Sequence, residues 1–159
     1  VILTHFSTKN WKLDRLWFYM QAGHFKPRGL WLSDESDYGW KEWCESERFH
    51  LGYLASATQF TLSENANIIH LTNIDEVMEF QKQWQRPEEG VYYREIDWGA
   101  IAAKYDGILI TPYRKDWTTH LPSWYLGWDV SSGCFWNLDI LQEVQVDQLM
   151  LEEREKVDG

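Results

Sequence analysis

The chain opens on Val1-Ile2-Leu3-Thr4-His5-Phe6, a short apolar, β-branched run that predicts a strand. Ser7-Thr8-Lys9-Asn10 breaks it with residue types that cap helices. Across 11–22, Leu13, Leu16, Trp17 and Met20 fall at helical spacing and Gly23 closes the stretch, so a helix is expected there. Lys26-Pro27-Arg28-Gly29 turns into a second short strand, Leu30-Trp31-Leu32-Ser33, and a short helix through Trp40, Trp43 and Cys44 follows. Residues 50–62 alternate loosely and predict one or two strands, and 67–71 predict another. Thr72-Asn73 caps an amphipathic helix over 74–84, with Ile74, Val77, Met78 and Phe80 in its apolar pattern. After a Pro87-Glu88-Glu89-Gly90 loop, Asp97 caps a short helix over 98–105, and Asp106-Gly107 turns into the strand Ile108-Leu109-Ile110. A long loop with Pro112 and Pro122 leads to closing strands expected over 124–128 and 133–136, with a further one over 143–146. The acidic end, 152–159, reads as a solvated tail.

Strand, helix, strand, helix and then mostly strands is an α+β order, without the regular alternation of a doubly wound parallel sheet. A single domain over 1–159 is expected from the length and the absence of a linker or repeat. Neither GxGxxG nor GxxxxGK[ST] occurs, so a bound nucleotide would need another device. Hydrophobic residues are 44% and charged residues 25% of the chain, the balance of a folded protein. The net charge of −10 argues against an extended nucleic-acid footprint, although Lys104, Arg114 and Lys115 flank the late loops and offer one local basic patch. No apolar run approaches the ~20 residues of a membrane-spanning helix and no signal peptide is evident, so no membrane partner is expected. Two cysteines, Cys44 and Cys134, exclude a disulfide framework and fit a reducing, cytoplasmic setting. His24, His50, His70 and His120 lack ligand spacing, and no metal is expected.

One feature of the composition stands apart. Eleven tryptophans, eight tyrosines and seven phenylalanines make 16% of the chain aromatic. Large flat side chains fill a small core, and they also build slots for flat ligands. Asp34, Glu35 and Asp37 read as helix-start acids that complement the dipole.

Thr4-His5-Phe6-Ser7, then Gly23, Gly29-Leu30-Trp31-Leu32-Ser33-Asp34 and Trp43-Cys44 follow one another at a characteristic spacing. This ordered set resembles the front half of the ADP-ribosyltransferase fold shared by poly-ADP-ribose polymerases and diphtheria-type toxins. The resemblance covers residues 1–44 well and is thin at a late strand, Gly133 to Asn137. It implies a single-domain, split β-sheet core with short peripheral helices, and NAD as co-substrate. By resemblance, His5 contacts the ribose, Phe6 and Ser7 line the nicotinamide site, and Trp31 and Trp43 hold the pyridinium ring. Ser33 closes the second motif, and Tyr38 is a spare candidate for one face of the ring. Stacking and cation–π attraction give such a ring roughly 0.5–2 kcal/mol per favourable face.

The family usually places a glutamate at the start of the late strand, where it stabilises the oxocarbenium-like ribose as nicotinamide leaves. Here Ser132 stands in that position, the nearest acid is Asp129, and Phe6 replaces a common glycine. The resemblance therefore implies an NAD-dependent transferase, with Asp129 or Ser132 beside the reacting ribose and a macromolecular acceptor, protein or nucleic acid. Transfer to water would make it an NAD glycohydrolase. The missing glutamate also fits a non-catalytic module that recognises NAD, ADP-ribose or a nucleotide. A protein-binding inhibitor or effector that reuses the fold is the third reading, and a toxin of this kind would have a neutralising partner. Taken without the resemblance, His5, Trp31 and Trp43 are core residues, and Asp129 is a turn former.

Overall fold

The computed structural model describes residues 1–8, 10–22, 25–86, 95–116 and 121–144. Within them, seven strands make one sheet: β1 (Leu3–Ser7), β2 (Leu30–Ser33), β3 (Ser56–Leu62), β4 (Ile68–Leu71), β5 (Gly107–Ile110), β6 (Ser132–Phe135) and β7 (Leu141–Glu143). Their spatial order is β4-β5-β6-β2-β1-β3-β7. Every pairing is antiparallel except β4–β5. That parallel pair requires a crossover, supplied by α2 (Ile74–Trp84) and α3 (Trp98–Ala102). Two further short helices, α1 (Trp40–Glu47) and α4 (Ser123–Leu126), complete a mixed α+β architecture. No helix among the described residues is long and apolar enough to cross a membrane.

The side-chain alternation of the strands builds two cores, one on each sheet face. Ile108 and Ile110 of β5 face Val77 and Phe80 of α2, Trp98 and Ile101 of α3, and Trp124 and Tyr125 of α4. Leu109, between them in sequence, joins Leu3, Leu30, Leu32, Phe60 and Phe135 on the opposite face. Most of the tryptophans of the first core touch edge-on or tilted, Trp98, Trp124 and Trp128 lying 6.0–6.4 Å apart by ring centroid. Gly29 is required where β2 begins, because a Cβ there would sit 2.8 Å from the Phe135 carbonyl oxygen of β6.

The caps form as their residues dictate. Asn73 accepts from the Glu76 amide at 2.9 Å, and the Glu76 carboxylate reaches back to the Thr72 amide at 3.0 Å. Asp97 accepts from the Ala100 amide at 3.1 Å. Residues 50–62 divide into a 3-10 turn, Leu51–Leu54, and β3. The expected loop at 87–90 and the acidic tail at 152–159 lie outside the described residues, as do positions 145 and 146.

Two expected elements differ in kind, and β7 (Leu141–Glu143) runs ahead of the strand expected over 143–146, meeting it only at Glu143. Residues 11–22 form no helix. The Asp14 carboxylate accepts from the Leu16 amide at 3.0 Å and the Asp14 carbonyl from the Trp17 amide at 3.2 Å, which turns the chain instead. Trp11, Leu13 and Tyr19 pack against the second core while Leu16, Trp17, Phe18 and Met20 face solvent, a pattern with no helical period. The strand expected over 124–128 is replaced by the helix α4, which buries Trp124 and Tyr125, with Trp128 buried just past its end. A short apolar run cannot separate those two outcomes by periodicity, and Pro122 ahead of it starts the helix.

One seam in the sheet is weak. β1 pairs five residues with β3, and β2 pairs four with β6, but β1 and β2 meet only at Thr4 and Ser33. Beyond that point the strands part.

The loop after β2 is tied across to the far loops. Arg114 grips Asp37 with two parallel hydrogen bonds of 2.7 and 2.9 Å, and the Ser131 hydroxyl donates to the same carboxylate at 2.5 Å. Asp37 is thus an ion-pair residue and not a helix-start acid. That role falls to Glu35, whose carboxylate accepts from the Lys41 amide in the first turn of α1 at 3.2 Å. The Arg114 guanidinium holds the Asp37 carboxyl well below the usual carboxylate range. A depressed carboxylate adds stability above its unfolded value of 3.8, and that stability is lost as pH falls toward the native value. Asp37→Asn should therefore cost about 1–2 kcal/mol at neutral pH, allowing for solvent at Arg114, with a gap from wild type that shrinks below about pH 4. Urea titrations at pH 7 and pH 3 measure both.

Candidate functional site

Where β1 and β2 part, the backbone groups that would have paired need other partners. His5 of β1 supplies one: its Nδ1 lies 3.0 Å from the Trp31 carbonyl oxygen of β2. A carbonyl only accepts, so Nδ1 carries the proton and Nε2 is left as a bare acceptor. Burial pushes the His5 pKa below 6.5, against the opposing pull of the Trp31 hydrogen bond, so the ring is neutral at pH 7. Trp11 packs on the imidazole at 4.2 Å between centroids and holds its plane.

A cleft of about 320 Å³ opens at this seam, at the lower end of the range for small-molecule sites. β1 contributes Thr4, His5 and Phe6 to its lining, and β2 contributes Trp31, Leu32 and Ser33. Trp40 of α1 adds an aromatic wall, and the segment leading into β6 adds Trp128, Asp129, Val130 and Ser132. Trp31 and Trp128 meet edge to face at 4.7 Å, and the Trp128 indole N–H donates to the Ser132 carbonyl at 2.9 Å. Lys26 lines the same cleft, with its ammonium 5.5 Å from the Trp31 ring centroid. Asp129 and Lys26 are the carboxylate and the ammonium of the lining.

Asp129 sits on a strained turn. The Val130 amide donates to the Trp128 carbonyl at 2.9 Å, which closes a three-residue turn, and Asp129 at its centre has φ +71°. This is the rare form of the γ-turn. Aspartate tolerates the left-handed region better than most residues, and the turn places Asp129 on the lining of the cleft.

Six of the nine residues singled out in the sequence meet in this cleft: His5, Phe6, Trp31, Ser33, Asp129 and Ser132. The Ser132 hydroxyl is buried and donates to the Val130 carbonyl at 3.0 Å, while Ser33 donates to Glu35 at 2.7 Å. Three lie outside the lining. Ser7 is buried and donates to the Thr8 carbonyl at 3.0 Å. The Tyr38 hydroxyl faces Ser46 at 3.5 Å. Trp43 stacks on Trp40 at 4.9 Å, nearly parallel, so Trp40 is the α1 aromatic at the cleft and Trp43 backs it. Sequence reasoning passed over Lys26, Trp40 and Trp128. The signal for Trp128 was its place directly before Asp129, and the signal for Trp40 was its spacing of three from Trp43 on one helix face.

Of the cations expected to form a basic patch, Lys104, Arg114 and Lys115, Arg114 is held by Asp37, and the Lys104 ammonium lies 5.6 Å over the Trp84 ring. Cys134 is a buried free thiol that burial pushes well above its ordinary pKa, and Cys44 is likewise buried and free. Comparison with family models, curated proteins and solved structures returns no match.

The turn at Asp129 separates backbone strain from charge. Asp129→Ala should lose about 1–2 kcal/mol of stability, because alanine tolerates φ +71° poorly, whereas Asp129→Gly should stay near wild type. Thermal unfolding of the two variants, which both lack the carboxylate, checks the assignment.

Proposed function

We propose that this chain is an NAD-consuming ADP-ribosyltransferase with the split-sheet fold of that family. The observation that carries the reading is the seam between β1 and β2, where His5, Trp31, Ser33, Ser132 and Asp129 line one cleft although they come from three separate parts of the chain. The bare Nε2 of His5 suits a ribose hydroxyl donor. Trp31, Trp40 and Trp128 supply apolar walls for a flat ring. The Asp129 carboxylate is the group able to stabilise positive charge as it develops on the ribose.

In the reaction the bond from ribose C1′ to the nicotinamide nitrogen breaks, and the electron pair leaves with nicotinamide, which becomes neutral. An acceptor oxygen or nitrogen bonds to C1′ and gives its proton to Asp129 or water. Lys26 and Asp129 favour this direction together. A nearby ammonium disfavours the pyridinium cation of the substrate but not neutral nicotinamide, while the carboxylate favours the cationic ribose.

One observation favours a reader of NAD or ADP-ribose without turnover. Ser132, at the position of the family's usual glutamate, spends its hydroxyl on the Val130 carbonyl. Nicotinamide release from NAD, measured with and without cell lysate beside an NAD titration, separates the two readings. The transferase predicts lysate-stimulated release that Asp129→Asn lowers at least about 100-fold with NAD affinity nearly kept. Binding without release gives the reader, and silence in both removes the NAD reading. His5 sets a pH limit as well. Protonation would place a hydrogen on Nε2, so NAD affinity should hold above pH 6.5, fall as pH drops through the lowered His5 pKa, and lose that dependence in His5→Gln.

A further inference from the structure

Residues 9–28 carry five cations, Lys9, Lys12, Arg15, Lys26 and Arg28, against one anion, Asp14. That is a net +4 in a chain of net −10, which leaves −14 on the rest. The same segment holds Trp11, Trp17, Phe18, Tyr19 and Phe25. In the fold its described residues form the irregular crossing from β1 to β2. The Arg15 guanidinium fastens it to the Leu138 and Leu141 carbonyls at 2.8 and 2.7 Å. The Gln21 side chain bonds both the amide and the carbonyl of Arg28, at 2.8 and 2.7 Å.

Anchored in this way, the crossing holds apolar side chains out to solvent: Leu16 is 95% exposed, Phe18 79%, Met20 70% and Trp17 61%. Core packing explains none of these four. Two shallow hollows lie beside Trp17, Phe18 and Met20. One lies between Lys12, Trp17 and Leu30, and the next between Trp17, Phe18, Arg28 and Trp31. They share Trp17 and Tyr19, and the second shares Trp31 with the cleft, so a track of adjoining hollows leads from Lys12 toward the candidate site.

We infer that this chain of adjoining hollows docks the acceptor and that the acceptor is a single-stranded nucleic acid. The inference rests on the transferase reading of the cleft. Exposed aromatic faces stack on unpaired bases, and interleaved cations follow the phosphates. Lys12 and Arg28 flank the aromatics, and Lys26 stands where the track enters the cleft. A duplex would hide its base faces, and a purely apolar protein partner would have no use for the concentrated positive charge. The acidic remainder of the chain confines the contact to a short stretch of strand. Transfer there breaks the nicotinamide–C1′ bond, forms a bond from C1′ to a nucleophilic oxygen or nitrogen of the strand, and releases that atom's proton to Asp129 or water.

Fluorescence anisotropy with a labelled, mixed-sequence strand of about twelve nucleotides, as DNA and as RNA, tests the docking directly. At least one of the two should bind with saturation, at least about ten-fold tighter than the matching duplex. Three phosphate contacts give a slope of log affinity on log salt near −2. The pair Trp17→Ala and Phe18→Ala should weaken the strand at least about ten-fold while NAD affinity stays at wild type. The pair Lys12→Gln and Arg28→Gln should flatten the salt slope. No binding of either strand, or binding indifferent to the loss of Trp17 and Phe18, overturns the proposal. A dimer in sedimentation that Trp17→Ala dissolves overturns it too, by assigning the face to a second copy. So does loss of transfer to lysate protein in these variants when no strand binds. Strand binding by a protein that neither binds nor cleaves NAD keeps the docking surface and removes only the transferase reading.

Discussion

The hydrogen bond from His5 to the Trp31 carbonyl is where the architecture turns from a sheet into a site. A sheet that parts in its middle exposes polar backbone, and a buried carbonyl without a donor costs about 1–3 kcal/mol. Closing the strands would satisfy it and abolish the cleft. The imidazole instead stands in for a strand neighbour, keeps β1 and β2 apart, and leaves its second nitrogen for a ligand. The choice of histidine follows from those demands. An amide side chain can donate to the carbonyl but lacks the flat ring on which Trp11 packs. A lysine would carry its charge into a half-buried seam.

The charges of the cleft follow a similar economy. Lys26 and Asp129 come from the segments ahead of two neighbouring strands, one just before β2 and the other just before β6, and both line the cleft beside the Trp31–Trp128 pair. A pocket with a single sign of charge would attract ions of the opposite sign without discrimination. One ammonium and one carboxylate among tryptophans give the cleft both signs of charge on an apolar background.

Much of this was legible in the residues, where local chemistry decides the outcome. Asn73 and Asp97 cap the helices they precede, and the β-branched runs at β1, β4 and β5 are strands. The crossing at 11–22 was not legible, because its conformation is set by partners distant in sequence. Arg15 reaches Leu138 and Leu141, and Gln21 reaches Arg28, contacts that no local period records. The same holds for the aromatic wall. Trp40 and Trp43 lie on one helix and differ only in which of them reaches the seam, a question of how α1 docks. Charge hides in another way: the −10 total conceals a basic stretch because summation discards position.

The strained turn at Asp129 explains why the loops around it are tied so firmly. A residue in the rare γ-turn persists only if its neighbours cannot relax it. On one side Trp128 is buried and bonded through its indole to Ser132. On the other side Ser131 uses every polar group it has: its amide donates to the Tyr38 carbonyl at 2.9 Å, its carbonyl accepts from the Asp34 amide at 2.7 Å, and its hydroxyl joins Asp37 and the Tyr113 amide. Asp34 in turn accepts from the Thr111 hydroxyl at 2.7 Å, and Asp37 holds Arg114. The acids after β2 therefore lock the approach to β6. They grip the segment that carries Asp129 at its Ser131 end, and a change at Asp37 reaches Asp129 through one serine.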